Sequence, residues 1–240
     1  MAETLVLLHG FAGTHRGWDD VVARLDRQRY RPLTLDLRGH GSARDRRPIS
    51  FEACVQDVLD AAPPRFALAG YSLGGRVALH VALAAPQRVS RLTLISTTAG
   101  IDDAAARAAR RADDECLAEE LLRDGIEAFA QRWSGSPLFA ADPPSVRAAA
   151  AADIRRNDAG ALAGVLRGVG TGCMAPLWAR LGEIGAPTAV LAGARDAKFT
   201  ALAQRLTAGV PDAQINVLEG GGHALAREMP KHVAALLQSF

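Results

Sequence analysis

Six short apolar runs punctuate the chain at residues 4–8, 31–36, 65–70, 89–96, 187–193 and 214–218. They are nearly continuous rather than alternating, which is the pattern of strands covered on both faces. Between the first four lie stretches of helical character. One runs from Trp18 to Gln28, one opens after Ser50 as its cap, and one follows from Arg76 through a run of Ala, Val and Leu. Met229 onwards reads as a closing amphipathic helix. Strands alternating with helices predict parallel βαβ units, hence a mostly parallel sheet flanked by helices.

From 101 to 184 the alternation stops. This stretch is alanine-rich, charged and helical by pattern, with breaks at Gly125, Ser134-Gly-Ser-Pro137, Asp142-Pro-Pro144 and Gly168 to Gly172. A helical insertion between two strands of a parallel sheet packs most simply over the sheet's carboxyl edge. Residues 1–100 and 185–240 are therefore expected to form an α/β core, and 101–184 a helical cap subdomain.

The chemistry concentrates where the third apolar run ends in Gly70-Tyr71-Ser72-Leu73-Gly74 and passes at once into helix. A serine on so sharp a strand-to-helix turn needs small residues two positions away on either side, so that strand and helix can pass closely. The turn also aims the Leu73 N–H at the space above the hydroxyl. Asp196 and His223 each follow a later apolar run, which places them at the same sheet edge as Ser72. In the order Ser72, Asp196, His223 they make a candidate triad: neutral His223 takes the serine proton and Asp196 fixes the imidazole tautomer. Phe11, directly after His9-Gly10, is the candidate for a second oxyanion-hole N–H beside Leu73. Plainer roles exist for Asp196, as a loop cap or as an ion-pair partner of Arg195 or Lys198. His15, His80 and His232 are expected to be structural. These residues leave open whether Ser72 is a nucleophile or a base.

Composition narrows the remaining classes. A net charge of +2 over 240 residues gives no footprint for nucleic acid or an acidic membrane surface. The three cysteines form no C-x-x-C pair, and neither an export signal nor a membrane-length apolar stretch is evident. A soluble cytoplasmic protein is expected, with no cofactor and no metal, since spaced metal ligands are lacking as well.

Together, the His-Gly loop, the Asp36-x-x-Gly39-x-Gly41 loop, the serine turn, the acid and the histidine resemble the α/β-hydrolase superfamily over essentially the whole chain. The chain starts at what that superfamily treats as its third strand. A further series runs in one order: Arg110-Arg111-Ala-Asp-Asp-Glu, Gly125-Ile-Glu-Ala-Phe129, Trp133, Pro137-Leu-Phe139, Leu166-Arg-Gly-x-Gly-Thr-Gly172 and Gly193-x-x-Asp196-x-Lys198-Phe199. It is similar to the 2-succinyl-6-hydroxy-2,4-cyclohexadiene-1-carboxylate synthases of menaquinone biosynthesis. That resemblance implies a lyase in which Ser72 acts as a base and pyruvate is expelled from a small polycarboxylate. Arginine's bidentate fork suits such a substrate. Arg76 matches the family's elbow arginine, Arg155 or Arg156 is implied as a second, and Arg110 or Arg111 as a further one. Tyr71 and Trp133 would be pocket walls. Ala226 stands where the family often has a second histidine. The competing expectation is a carboxylesterase or carbon–carbon bond hydrolase with Ser72 as nucleophile; a ligand-binding receptor on this fold is a distant third.

Overall fold

The computed structural model describes residues 2–140 and 142–240. Each apolar run becomes a strand: β1 (Glu3–Leu8), β2 (Tyr30–Leu35), β3 (Phe66–Tyr71), β4 (Val89–Ile95), β5 (Thr188–Gly193) and β6 (Ala213–Leu218). All pair in parallel, in the order β2-β1-β3-β4-β5-β6. The strand order reverses between β1 and β3, so the loops leaving their carboxyl ends diverge and open a crevice there.

The helices are α1 (Asp19–Val22), α2 (Phe51–Ala61), α3 (Leu73–Ala84), α4 (Ala104–Ser134), α5 (Pro144–Ile154), α6 (Ala159–Val169), α7 (Ala197–Gly209), α8 (Leu225–Glu228) and α9 (Pro230–Ser239). Period-two alternation along β3 sorts its side chains between two cores. Phe66 and Leu68 join α2, α3 and α7 on one face, whereas Ala67 and Ala69 meet Trp18, Val21, Leu225 and α9 on the other. Each large aliphatic or aromatic side chain so buried contributes about 1.5–3 kcal/mol. Edge strand β6 departs from the expectation of cover on both faces: Ile215 and Val217 are each 37% exposed.

The Trp18–Gln28 helix expected from the pattern is much shorter. A 3₁₀ turn (His15–Trp18) leads into the four residues of α1. The chain then turns because the Asp26 carboxylate accepts the Gln28 N–H at 2.8 Å, an alternative to the helical ladder. Trp18, Val21 and Leu25 are nonetheless buried, so the apolar spacing was serving the core rather than a long helix.

Between β4 and β5, helices α4, α5 and α6 pack on one another around Leu121, Phe129, Ile154, Leu162 and Leu166, with Phe11 and Trp133 against the same cluster. Gly125, at φ 78° and ψ 174°, breaks α4 internally. Among the described residues no helix is long and apolar enough to cross a membrane.

Candidate active site

Strand β3 passes into α3 through one residue. Ser72 holds φ 52° and ψ −108°, a conformation that costs a non-glycine residue about 1–3 kcal/mol. Its N–H donates to Ile95 O at 2.9 Å and its carbonyl accepts the Thr97 hydroxyl at 2.8 Å. A Cβ at Gly70 would lie 2.3 Å from the Gly74 carbonyl oxygen, and one at Gly74 would lie 2.2 Å from Leu8 O. Those contacts are the steric reason for the Gly-x-Ser-x-Gly spacing: helix α3 crosses directly over the ends of β3 and β1.

The other two residues converge on Ser72. His223 Nε2 lies 3.3 Å from Ser72 Oγ, and His223 Nδ1 lies 2.8 Å from Asp196 Oδ2. Asp196 also has the plainer role weighed above, because its Oδ1 accepts the Phe199 N–H and caps α7. One carboxylate therefore fixes both the helix and the ring. Arg195, the neighbour considered as its ion-pair partner, bonds Glu228 instead. The imidazole is walled by Tyr71, Phe139 and Phe199, at ring-centroid distances of 5.5, 5.8 and 4.4 Å. Glu228 accepts the Gly222 N–H and so tethers the loop that carries His223. Burial, with Glu228 nearby, pushes the Asp142 carboxyl up to about 7.

Two cavities meet at a partition of Phe11 and Trp133, which line both. The larger, about 420 Å³, takes in Ser72, His223, Arg76, Arg110 and Lys198. The smaller, about 60 Å³, lies against Tyr71, Trp18 and Phe139. Arg76 is only 7% exposed, and its Nη1 donates to Val169 O at 2.6 Å. It forms no ion pair among the described residues, and burial, followed by the Arg110 charge, lowers its pKa to about 10. Arg110 is held by Asp114 at 2.8 Å, while Arg111 is turned to the Gly172 carbonyl.

Arg155 and Arg156 do not reach either cavity. Arg155 pairs with Glu127 at 2.7 Å on the outer surface, and Arg156 is half exposed, 3.9 Å from Asp153. The inward positions of this segment belong to Asp153, Ile154 and Asn157, all buried, so the two arginines between them face out.

Two further histidines shape the loops. His9 Nε2 accepts the Leu37 N–H at 3.0 Å, and His40 Nε2 accepts the Ala12 N–H at 3.2 Å. Each ring's Nδ1 lies near a carbonyl, Gly10 O for His9 and Arg38 O for His40, so both rings carry the proton on Nδ1. Burial lowers both pKa values, that of His40 to about 3, which keeps the accepting nitrogens free. Asp36 sits between these loops. Burial alone would raise its pKa, yet hydrogen bonds from His15 and Ser42 hold it well below the usual carboxylate range.

The fold and the sequence have counterparts among known proteins. The alpha/beta hydrolase family matches residues 5–236. The chain belongs to that family. It is 34% identical over its whole length to a putative 2-succinyl-6-hydroxy-2,4-cyclohexadiene-1-carboxylate synthase of Bacillus subtilis, covering 90% of that protein. It is 35% identical to the synthase of that name from Enterobacter sp., with 97% of this chain and 89% of the relative covered. Among solved structures it resembles MenH from S. aureus, with TM-score 0.92 and 30% identity over 99% of this chain and 92% of that one.

Within the alpha/beta hydrolase fold, the functional candidates that sequence reasoning passed over are Lys198, His40, Asp153 and Asn157. Lys198 enters the sequence reading as an ion-pair alternative for Asp196 and as a position of the Gly193-x-x-Asp196-x-Lys198-Phe199 series, with no role of its own. Asp153 and Asn157 carry no motif of their own, His40 fills a variable position of the Asp36-x-x-Gly39-x-Gly41 loop, and the contacts that hold the loops together join residues 28 to 145 positions apart.

Proposed function

We propose that this chain is a carbon–oxygen lyase that eliminates pyruvate from a succinyl-enolpyruvyl-hydroxycyclohexene carboxylate, forming 2-succinyl-6-hydroxy-2,4-cyclohexadiene-1-carboxylate. The observation that carries the reading is Arg76. A buried guanidinium without a carboxylate partner opens onto the cavity that contains Ser72 and His223. Burying an unpaired charge is unfavourable, and an anionic ligand offsets that cost. The relatives named above carry the name 2-succinyl-6-hydroxy-2,4-cyclohexadiene-1-carboxylate synthase, and Arg110 and Lys198 bring positive charge to the same cavity, which Asp113 and Asp114 also line, Asp114 being paired with Arg110.

The residues divide the work as follows. Asp196 holds the His223 Nδ1–H, leaving Nε2 free to accept the Ser72 proton. The Ser72 alkoxide removes a proton from the carbon beside the succinyl carbonyl. That electron pair moves through the ring, the carbon–oxygen bond to the enolpyruvyl group breaks, and the departing enolate is protonated to pyruvate. Negative charge developing on the carbonyl oxygen is met by the N–H groups of Phe11 and Leu73, which have no partner among the described residues. Arg76, Arg110 and Lys198 hold substrate carboxylates and Trp133 forms a wall of their cavity, whereas Tyr71, expected as a second wall, backs the His223 ring from the smaller cavity. Helices α4 to α6 act as a cap that supplies Arg110 and Trp133 and limits water in the cavity.

A coupled assay for pyruvate release from the cyclohexene carboxylate, beside Ser72→Ala and a short-chain nitrophenyl ester, tests this. Rapid release that the variant loses, with little ester cleavage, is expected. Ester cleavage without pyruvate would instead establish a serine hydrolase with Ser72 as nucleophile.

A further inference from the structure

The loop 10–14 presents the Phe11 N–H, and its conformation is not self-sustaining. Ala12 sits at φ 62°, which costs about 1–3 kcal/mol unless the surroundings over-determine it. The loop's own turn supplies one bond, from Gly13 N–H to Gly10 O at 3.1 Å. The others come from side chains far along the chain. His40 accepts the Ala12 N–H, and Asn157 Nδ2 donates to the Ala12 carbonyl at 2.9 Å. Asp153 accepts the Thr14 N–H at 3.0 Å with one oxygen and the Thr14 hydroxyl with the other.

Asp153 lies in the last turn of α5, and Asn157 in the short link from α5 to α6. They grip the loop at the strained residue itself, Ala12, and two positions beyond it, at Thr14. Asn157 is also fully engaged: Nδ2 donates to Ile154 O at 3.1 Å as well, and Oδ1 accepts the Gly41 N–H at 2.9 Å. One amide thus ties the loop after β1 to the loop after β2. Asp153 makes a second tie, accepting from Arg227, four residues beyond His223. The amide is buried, so an exchange of donor for acceptor there cannot be masked by water.

We infer that Asn157 is a positioning residue for the oxyanion hole, acting through Ala12 to set the Phe11 N–H, with Asp153 and His40 holding the same loop. The helical segment between β4 and β5 is then a working part of the site's electrostatics as well as its cover. This rests on the role given above to the Phe11 N–H.

Asn157→Asp is nearly isosteric but places an acceptor against the Ala12 and Ile154 carbonyls. Asn157→Ser removes the contact without adding charge, and Arg155→Gln is the neighbouring control. Three quantities decide the matter: kcat and KM for pyruvate release, the Ki of phenylboronic acid, whose adduct on Ser72 is a tetrahedral anion, and Tm. Loss of a whole oxyanion donor costs about 10²–10³ in kcat, so displacement of one should cost about 10–100-fold. The expected result is that fall in kcat for both Asn157 variants, a KM within about twofold, a matching rise in the boronate Ki, and no change for Arg155→Gln.

A folded Asn157→Asp whose kcat and boronate Ki stay within about twofold of wild type overturns the inference, as does a loss confined to KM. Failure of both variants to fold overturns it too, because the residue is then structural. If wild type releases no pyruvate, the lyase reading fails on its own, and the boronate measurement still decides whether Asn157 positions the hole.

Discussion

Replacing Arg76 with methionine should move binding and stability in opposite directions. The guanidinium is 7% exposed, donates one hydrogen bond to Val169 O and is in ion-pair contact with no carboxylate of the described residues, although Asp114 nearby offsets part of the cost of burying it. Its pKa, lowered from 12.5 to about 10, means that the charged form is disfavoured by about 3 kcal/mol relative to water. Methionine removes that penalty and fills much the same volume against Phe51, while the lost hydrogen bond costs about 0.5–1.5 kcal/mol. The net expectation is a stability unchanged or raised by about 1–2 kcal/mol, a rise of about 2–8 °C in Tm for a chain of this size. Substrate binding, in contrast, loses a charge-assisted pair worth about 1.5–3 kcal/mol, so KM should rise about 10–100-fold. Differential scanning calorimetry and steady-state pyruvate release check both halves. A destabilised variant that keeps its KM would refute the reasoning, since Arg76 would then be a structural anchor for Val169.

Other outcomes follow from the same geometry. Asp196→Asn should lower kcat by about 10³–10⁴-fold, because the amide can stabilise the wrong tautomer of His223; stopped-flow kinetics with an unchanged circular dichroism spectrum would show it, and a loss under tenfold would count against the triad. Gly74→Ala should cost at least about 1–3 kcal/mol and most activity, because its Cβ would lie 2.2 Å from Leu8 O and must push α3 off β1. His40, held neutral at about 3 against 6.5 for a free imidazole, contributes stability that is complete above pH 6.5 and lost as pH falls toward 3. The full difference is about 5 kcal/mol, so urea unfolding between pH 7 and 4 should be distinctly less pH-dependent in His40→Gln than in wild type, and equal slopes would contradict the assignment.

What the sequence by itself determined is local and periodic. Six apolar runs became six strands, the breaks near Gly125, Ser134, Pro144 and Gly170 became the ends or kinks of helices, and Ser50 caps α2 as expected. The serine turn was legible because a close strand-helix crossing admits only small residues at Gly70 and Gly74, and that constraint is written in adjacent positions. The convergence of Asp196 and His223 followed from their place after parallel strands, whose carboxyl ends share one edge.

Only the tertiary structure decided which arginines face the cavity. Arg155 and Arg156 stand beside the buried Asp153 and Asn157 in the chain, and a shift of one residue on a helical turn rotates a side chain by about 100°, from substrate to solvent. Arg110, one of several charges on α4, is set inward by Asp114 from its own helix, while Glu115 pairs with Arg167 on α6. The clamp on Ala12 was equally invisible, because Asn157 acts 145 positions away through a backbone carbonyl that has no residue type. Periodicity records which face of an element is buried; it does not record which polar group across the fold that face will meet.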